Sequence, residues 1–325
     1  STDSSGAQGN GSSDSPVFSA DGTQVAFTSD ASNLVAGDTN SQQDVFVKNL
    51  STGAVTRVST DSSNRQGNGN SDCPVFSAEG TQVAFTSEAS NLVAGDTNGT
   101  TDVFVKNLST GAVTLINTNS SGVQGNGGSG GPVFLPDGTQ VAFSSNSSNL
   151  VAGDTTGTDV IFVKSLSTGA LTLVSTSSSG VNSASYSPVF SADGTQLAFF
   201  SDATNLVAGD TNNMRDIFVK NLSTGAVTRV STDSSGVQGN DGSYGPVFLA
   251  DGTQLAFSSD ASNLVAGDTN GATDIFIKNI ASVPTDTGGI DTVQSSISYT
   301  LPDNVENLIL LGNDSLSGGG NELNN

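Results

Sequence analysis

The apolar residues of this chain fall in short alternating runs separated by polar, glycine-rich turns. QVAFTS, residues 24–29, sets Val25 and Phe27 on one face of an extended segment, and DVFVKN, residues 44–49, sets Val45 and Val47 against Phe46. Alternation with a period of two, bounded by turn residues, predicts strands. PVFSA, residues 16–20, runs into Asp21-Gly22, a dipeptide that tolerates positive φ and closes hairpins. Ser51-Thr52-Gly53 supplies a second turn, and AVTRVST, residues 54–60, is the most polar of the four segments and therefore the outermost strand.

This four-segment pattern repeats. The proline of PVF stands at Pro16, Pro74, Pro132, Pro188 and Pro246, so the unit is about 58 residues long and occurs five times between residue 1 and about residue 281. A period above about 40 residues points to a propeller or a solenoid. Fifteen of the 16 Phe residues occupy three fixed places per unit, the exception being Phe200 beside Phe199. Phenylalanines repeated in this way read as packing between sheets rather than as ligand platforms. The expected fold is therefore all-β: a β-propeller of five four-stranded blades, residues 1–281, followed by a short β-rich tail, residues 282–325. In a propeller the first strand of each blade lies nearest the axis and the fourth at the rim. The two tight turns then share one face. The loop after the second strand and the loop between units share the other, where insertions gather and binding is expected.

After Lys278 the expected NLSTGAVTRVST gives way to NIASVPTDTGGIDTV, so the fifth unit lacks a recognisable fourth strand, while STDSSG at residues 1–6 matches the stretch just after that strand in other units. Four arrangements are open: a three-stranded last blade, completion by IDTVQSSISYTL, donation of a strand by a neighbouring chain in a head-to-tail fibre, or a boundary cut through a longer array.

PVFSADGTQVAFTS and DVFVKNLSTG resemble the TolB-type propeller repeat across residues 14–280. The resemblance implies the propeller fold and is weak for function, since such propellers serve as binding platforms, as periplasmic components and as appendages of peptidases. The tail GIDTVQSSISYTLPDNVENLILLGNDSLSGGGNELNN resembles the segment preceding the calcium-binding nonapeptides of secreted RTX proteins, although Gly-Gly-x-Gly-x-Asp itself does not occur. That resemblance implies export, a calcium-rich setting and a C-terminal export signal, but it transfers no metal ligand. Alternation at Val293, Ile297, Tyr299 and Leu301, then at Val305, Leu308 and Leu310, predicts two strands in the tail.

Charge narrows the function classes. Acids outnumber bases 31 to 9, for a net charge of -22, which rules against a nucleic-acid partner and fits an extracellular or cell-surface protein, or one that collects cations. Cys73 is the single cysteine, so there is no intrachain disulfide or thiolate cluster, and no run of 18 apolar residues spans a membrane.

Calcium is the cofactor the loops suggest, because it takes six to eight hard oxygen ligands. LVAGDTNGTTDVFVK places Asp96, Asn98 and Asp102 at spaced positions. Its counterparts are Asp38, Asn40 and Asp44 in the first unit, Asp210, Asn212 and Asp216 in the fourth, and Asp268, Asn270 and Asp274 in the fifth. The third departs: Asp154 is kept, Thr156 replaces Asn, and Val160 takes the last place with Asp159 one residue early. Four loops are thus expected to hold calcium, with Asp30, Glu88, Asp202 and Asp260 helping to fill the shell, and the third is expected to bind worst. The competing reading is structural, with Asp and Asn tying down local backbone.

The expected function is a secreted or cell-surface non-catalytic calcium-binding propeller with a structural, adhesive or assembly role; the alternative is a glycan- or protein-binding platform with no functional metal, and a hydrolase ranks below both. The chain has no His, which removes Ser-His-Asp and Cys-His nucleophiles and His-ligated zinc, and most acids recur identically from unit to unit. Tyr186, Tyr244, Arg215 and Arg65 are the unique residues of the long-loop face. The five equivalent lysines beginning with Lys48 are expected to protect edges or balance surface charge. Expected partners are calcium, a second copy of the chain, or an extracellular glycan or protein.

Overall fold

The computed structural model describes residues 1–152, 157–176 and 184–280, together with residues 292–295, 299–300, 307–310 and 318–319 of the tail. Each sequence unit folds as one antiparallel sheet. Blade 1 comprises β1 (Ser13–Phe18), β2 (Gln24–Ser29), β3 (Asp44–Asn49) and β4 (Val55–Arg57), paired in that order. Blade 2 repeats it with β5 (Ser71–Phe76), β6 (Gln82–Ser87), β7 (Asp102–Asn107) and β8 (Val113–Leu115). Blade 3 has β9 (Ser129–Phe134), β10 (Gln140–Ser145), β11 (Val160–Ser165) and β12 (Leu171–Leu173). Blade 4 has β13 (Ser185–Phe190), β14 (Gln196–Ser201), β15 (Asp216–Asn221) and β16 (Val227–Arg229). Blade 5 has three strands among the described residues, β17 (Ser243–Phe248), β18 (Gln254–Ser259) and β19 (Asp274–Asn279).

The two faces of a blade differ, and that difference builds the core. One face carries the cross-strand pair Phe27 and Phe46, whose rings stack with centroids 5.8 Å apart, and every blade repeats the pair. The other face is aliphatic. Ala26, Val45, Val47 and Val58 of blade 1 pack on Phe76, Val83, Phe85 and Phe104 of blade 2, and the same aliphatic-on-aromatic contact joins blades 2 and 3 and blades 3 and 4. Each buried Phe contributes about 2–3 kcal/mol of hydrophobic stabilisation.

The repeated lysine has a different role from the expected one. Lys106 is buried, and its Nζ donates to the Thr60 carbonyl (3.2 Å), the Thr60 hydroxyl (3.0 Å) and the Asp61 carbonyl (2.9 Å). Lys48, Lys164 and Lys278 make the same three contacts to the corresponding turns, and Lys220 reaches the Val174 carbonyl. Lys106, Lys164 and Lys278 therefore clamp the turn that enters their blade from the one before, and Lys48 clamps the corresponding turn at Thr2–Asp3. Edge protection would need an ammonium in water, whereas here three oxygens replace the water it gives up.

A second local feature aims side chains. Every inner strand has a bulge against its neighbour, as between Asp14 and Val17, and the residue inside it has positive φ: Ser15, Cys73, Gly131, Ser187 and Gly245. A bulge next to a binding face turns the preceding side chain out of the regular pleat.

The chain divides into two units, Ser1–Asn279 and Ile280–Asn325. In the second, β20 (Thr292–Ser295) pairs in parallel with β22 (Asn307–Leu310), and β21 (Tyr299–Thr300) with β23 (Gly318–Gly319). Among its described residues the tail thus carries four short strands where alternation predicted two: the first stretch holds β20 and β21, the second holds β22, and β23 lies beyond both at a glycine pair. Ile297, Leu301 and Val305 lie outside the described residues.

Candidate functional site

The Asp, Asn, Asp loops lie between the second and third strands, and hydrogen bonds to the neighbouring inter-blade loop hold them. Asn91 Nδ2 donates to the Gln66 carbonyl at 2.9 Å, and Asn33, Asn149 and Asn263 do the same in their own blades. In blade 1, Asn40 Nδ2 donates to the Gly67 carbonyl (2.8 Å), while its Oδ1 accepts from the Gln42 amide (3.0 Å). Asn212 of blade 4 makes the corresponding pair of bonds. Asn is therefore spent on the turn and on a cross-blade tie.

The two aspartates of blade 1 converge, and the protein itself supplies their partners. Gln66 Nε2 donates to Asp38 Oδ1 (2.8 Å) and to Asp44 Oδ2 (3.0 Å), and Ser59 Oγ donates to Asp44 Oδ1. Arg57 Nη1 stands 3.3 Å from Asp38 and 3.4 Å from Asp44, all three side chains being buried or nearly so. Burial pushes the Asp44 carboxyl above its ordinary range, against the opposing pull of Ser59, Gln66 and Arg57. Blade 4 repeats the arrangement with Asp210, Asp216, Arg229, Gln238 and Ser231, the guanidinium lying 3.7 and 3.9 Å from the two carboxylates. In these two blades a guanidinium stands beside both carboxylates and balances their charge.

Blade 2 has no such cation. Leu115 stands where Arg57 stands in blade 1, and Asn117 replaces Ser59. Gln124 Nε2 still bridges Asp96 (2.8 Å) and Asp102 (3.0 Å), while Asn98 and Asn117 both donate to Asp102 Oδ1. Burial, together with the adjacent Asp96 carboxylate, pushes Asp102 up to about 6 in spite of these donors. In blade 5, Asn270 Nδ2 donates to Asp274 Oδ2 at 3.0 Å, and Asp268, Asn270 and Asp274 are all partly or fully exposed. In blade 3, Asp154 and Thr156 lie outside the described residues and Val160 is buried.

The acids expected to complete a metal shell are engaged elsewhere. Glu88 accepts from Asn70, Asp202 pairs with Arg215, and Asp260 accepts from Thr273, while Asp30 is exposed. Among the described residues no three metal-ligating side chains converge. Sequence reading missed Arg57, Arg229 and the three glutamines Gln66, Gln124 and Gln238. Their signals were present, since Arg recurs in AVTRVST of units 1 and 4 only and Gln recurs in QGN of the inter-unit loops.

Three of the four unique residues meet. Tyr186, Phe200 and Tyr244 surround the Arg215 guanidinium, while Arg65 lies apart and pairs with Asp61 at 2.6 Å.

No protein-family model matches the chain, and no curated protein matches it. Solved structures do. An oligogalacturonate lyase in complex with manganese is 16% identical with a TM-score of 0.51, covering 84% of this chain and 66% of that one. The β-propeller domain of the Trilobed protease from Pyrococcus furiosus, described as having an open velcro topology, is 9% identical with a TM-score of 0.51, covering 83% and 69%. TolB from Acinetobacter baumannii is 20% identical with a TM-score of 0.45, covering 78% of this chain and 53% of its own, so the chain spans about half of that protein's length. At these identities the likeness concerns fold alone. The fold these structures share with this chain is a multi-blade β-propeller.

Proposed function

We propose that the chain is a non-catalytic scaffold, working outside the cell or at its surface, that assembles head to tail through the end faces of its blade array. One observation carries this reading. Phe18 of blade 1 is 64% exposed although its counterparts Phe76 and Phe134 are buried, and Ile275 and Ile277 of blade 5 are 73% and 62% exposed although Val45, Val103, Ile161 and Ile217 are fully buried. Among the described residues, blade 1 thus exposes Phe18 at the edge of its otherwise buried aromatic face, and blade 5 exposes the aliphatic pair Ile275 and Ile277. They belong to the two sides of the contact that joins blades 1 and 2, blades 2 and 3, and blades 3 and 4, and exposed apolar residues of this kind mark interaction surfaces. Because the faces differ, contact between copies is heterologous and extends rather than closing as a two-fold dimer.

The loops support a structural role, since in blades 1 and 4 they neutralise their own carboxylates. Calcium enters this reading at blade 2, which has the carboxylate pair without the arginine. The RTX-like tail and the acidic surface favour an extracellular, calcium-rich setting.

Light scattering on the full chain over a wide concentration range tests the assembly. Mass should rise with concentration, and Phe18→Lys or Ile275→Lys should each abolish the rise while leaving the melting temperature nearly unchanged. A monomer at every concentration would overturn the proposal.

A further inference from the structure

Each blade has three corresponding positions on its long-loop face: the second residue of the inner strand, the fifth of the second strand and the one just before the third strand. In blade 1 they are Asp14, Thr28 and Gln43, and in blade 4 they are Tyr186, Phe200 and Arg215. The bulge that follows the first of these positions is present in both blades, so the same backbone carries small polar residues in one and a ring-and-guanidinium set in the other. Folding does not require the rings, because the sister blades form without them.

The set extends across the cleft to blade 5. The Arg215 carbonyl accepts from the Ser243 amide at 2.8 Å, which fixes the arginine beside Tyr244. Its guanidinium carbon lies 5.9, 5.6 and 5.7 Å from the ring centroids of Tyr186, Phe200 and Tyr244. Tyr186 and Phe200 are 5.5 Å apart, with Tyr244 edge-on to Phe200 at 6.1 Å. Nε donates to Asp202 Oδ1 at 2.9 Å, whereas Nη1 and Nη2 have no acceptor among the described residues. The side chains of Arg215 and Asp202 are 41% and 43% exposed. The fork is therefore held rigid by rings and one carboxylate, and its outer edge still donates to solvent. Burial and the nearby Asp159 and Asp202 carboxylates push the Tyr186 hydroxyl above its ordinary range.

We propose that this cleft between blades 4 and 5 binds a neutral sugar ring. The Nη donors and the second oxygen of Asp202 together present donors beside an acceptor, which a pair of adjacent hydroxyls satisfies at once. Half-buried ring faces next to them suit the C–H face of a pyranose. An anionic ligand fits poorly, because Asp202 already pairs with the single cation and the chain carries a net charge of -22.

The test is titration of the full chain with maltohexaose, cellohexaose, xylohexaose and mannohexaose, each up to about 10 mM, a range that captures weak single-site binding. Tyrosine fluorescence is a direct readout, since two of the chain's three Tyr are in the cleft. Saturation transfer from the aromatic protons is a second. At least one neutral oligosaccharide should bind, and Arg215→Thr and Phe200→Ser, which install residues that sister blades use at these positions, should weaken it by about tenfold or more without changing the melting temperature. No binding by any of the four, or equal binding by the Arg215→Thr variant, would overturn the proposal. So would tighter binding of a polygalacturonate oligomer than of every neutral sugar. The assembly proposal stands or falls separately, because neither variant touches an end face.

Discussion

Blades 1 and 2 carry the same Asp, Asn, Asp loop on the same backbone, yet the two carboxylate pairs are in different electrostatic states. Asp38 and Asp44 share a buried guanidinium, whereas Asp96 and Asp102 have only amides around them and Leu115 where the guanidinium would be. Two carboxylates in one dry site cannot both ionise cheaply without a cation. Blade 1 builds the cation in. Blade 2 must hold a proton, admit a cation from outside, or bear the repulsion, so only there does the loop remain responsive to its surroundings.

Removing the cation from blade 1 is expected to have the largest effect. Arg57→Leu copies the blade 2 arrangement and strands two buried carboxylates, at a cost of about 3–5 kcal/mol at neutral pH by urea denaturation. The pH dependence of the unaltered protein comes next. Asp102 titrates near 3.8 when unfolded and at about 6 when folded, so the folded state binds the proton more tightly. Stability from this group is greatest below about pH 4 and falls as pH rises through about 6, by up to about 3 kcal/mol. Denaturation midpoints at pH 4.5 and pH 7 measure it, after the opposing contributions of other acids are removed by comparison with Asp102→Asn.

Supplying the missing cation sharpens the contrast. Leu115→Arg should raise stability at pH 7 by about 1–2 kcal/mol and flatten the pH dependence of blade 2, less than the full penalty because Asn117 crowds the site where blade 1 has Ser59. Calcium gives a smaller expected effect. Whatever rise in melting temperature millimolar calcium produces, about 2–4 °C for a single weak site, should vanish in Asp96→Asn and persist in Asp38→Asn. A rise that survives Asp96→Asn would place the metal elsewhere. The smallest effect belongs to the bulges. Ser15 and Ser187 have φ of 51°, where blades 3 and 5 use Gly131 and Gly245, so Ser15→Gly should gain about 0.5–1 kcal/mol in thermal denaturation.

Much of this was legible in the chain. The period, the hairpin dipeptides and the fixed phenylalanines defined four-stranded blades, since strand alternation and turn chemistry are local. The lysines were misread for the opposite reason. Lys106 looks like an exposed strand residue until the Thr60–Asp61 turn, about 45 positions earlier, folds over it. Arg57 was equally visible, as one polar residue of an outer strand, but its contact with Asp38 and Asp44 depends on how the outer strand aligns with the loop. Tyr186, Tyr244 and Arg215 stood out as unique. Their convergence depends on a backbone bond between blades 4 and 5 that no local pattern encodes.

By itself, then, the sequence determined the repeat, the strand order within each blade and the identity of the core, because these arise from periodicities of two and of about 58 residues. Only the tertiary structure decided which carboxylates share a cation, where the lysines anchor and which faces stay uncovered. Those outcomes depend on long-range register and burial, where a change from Arg to Leu at one position reverses the electrostatics of an otherwise identical loop.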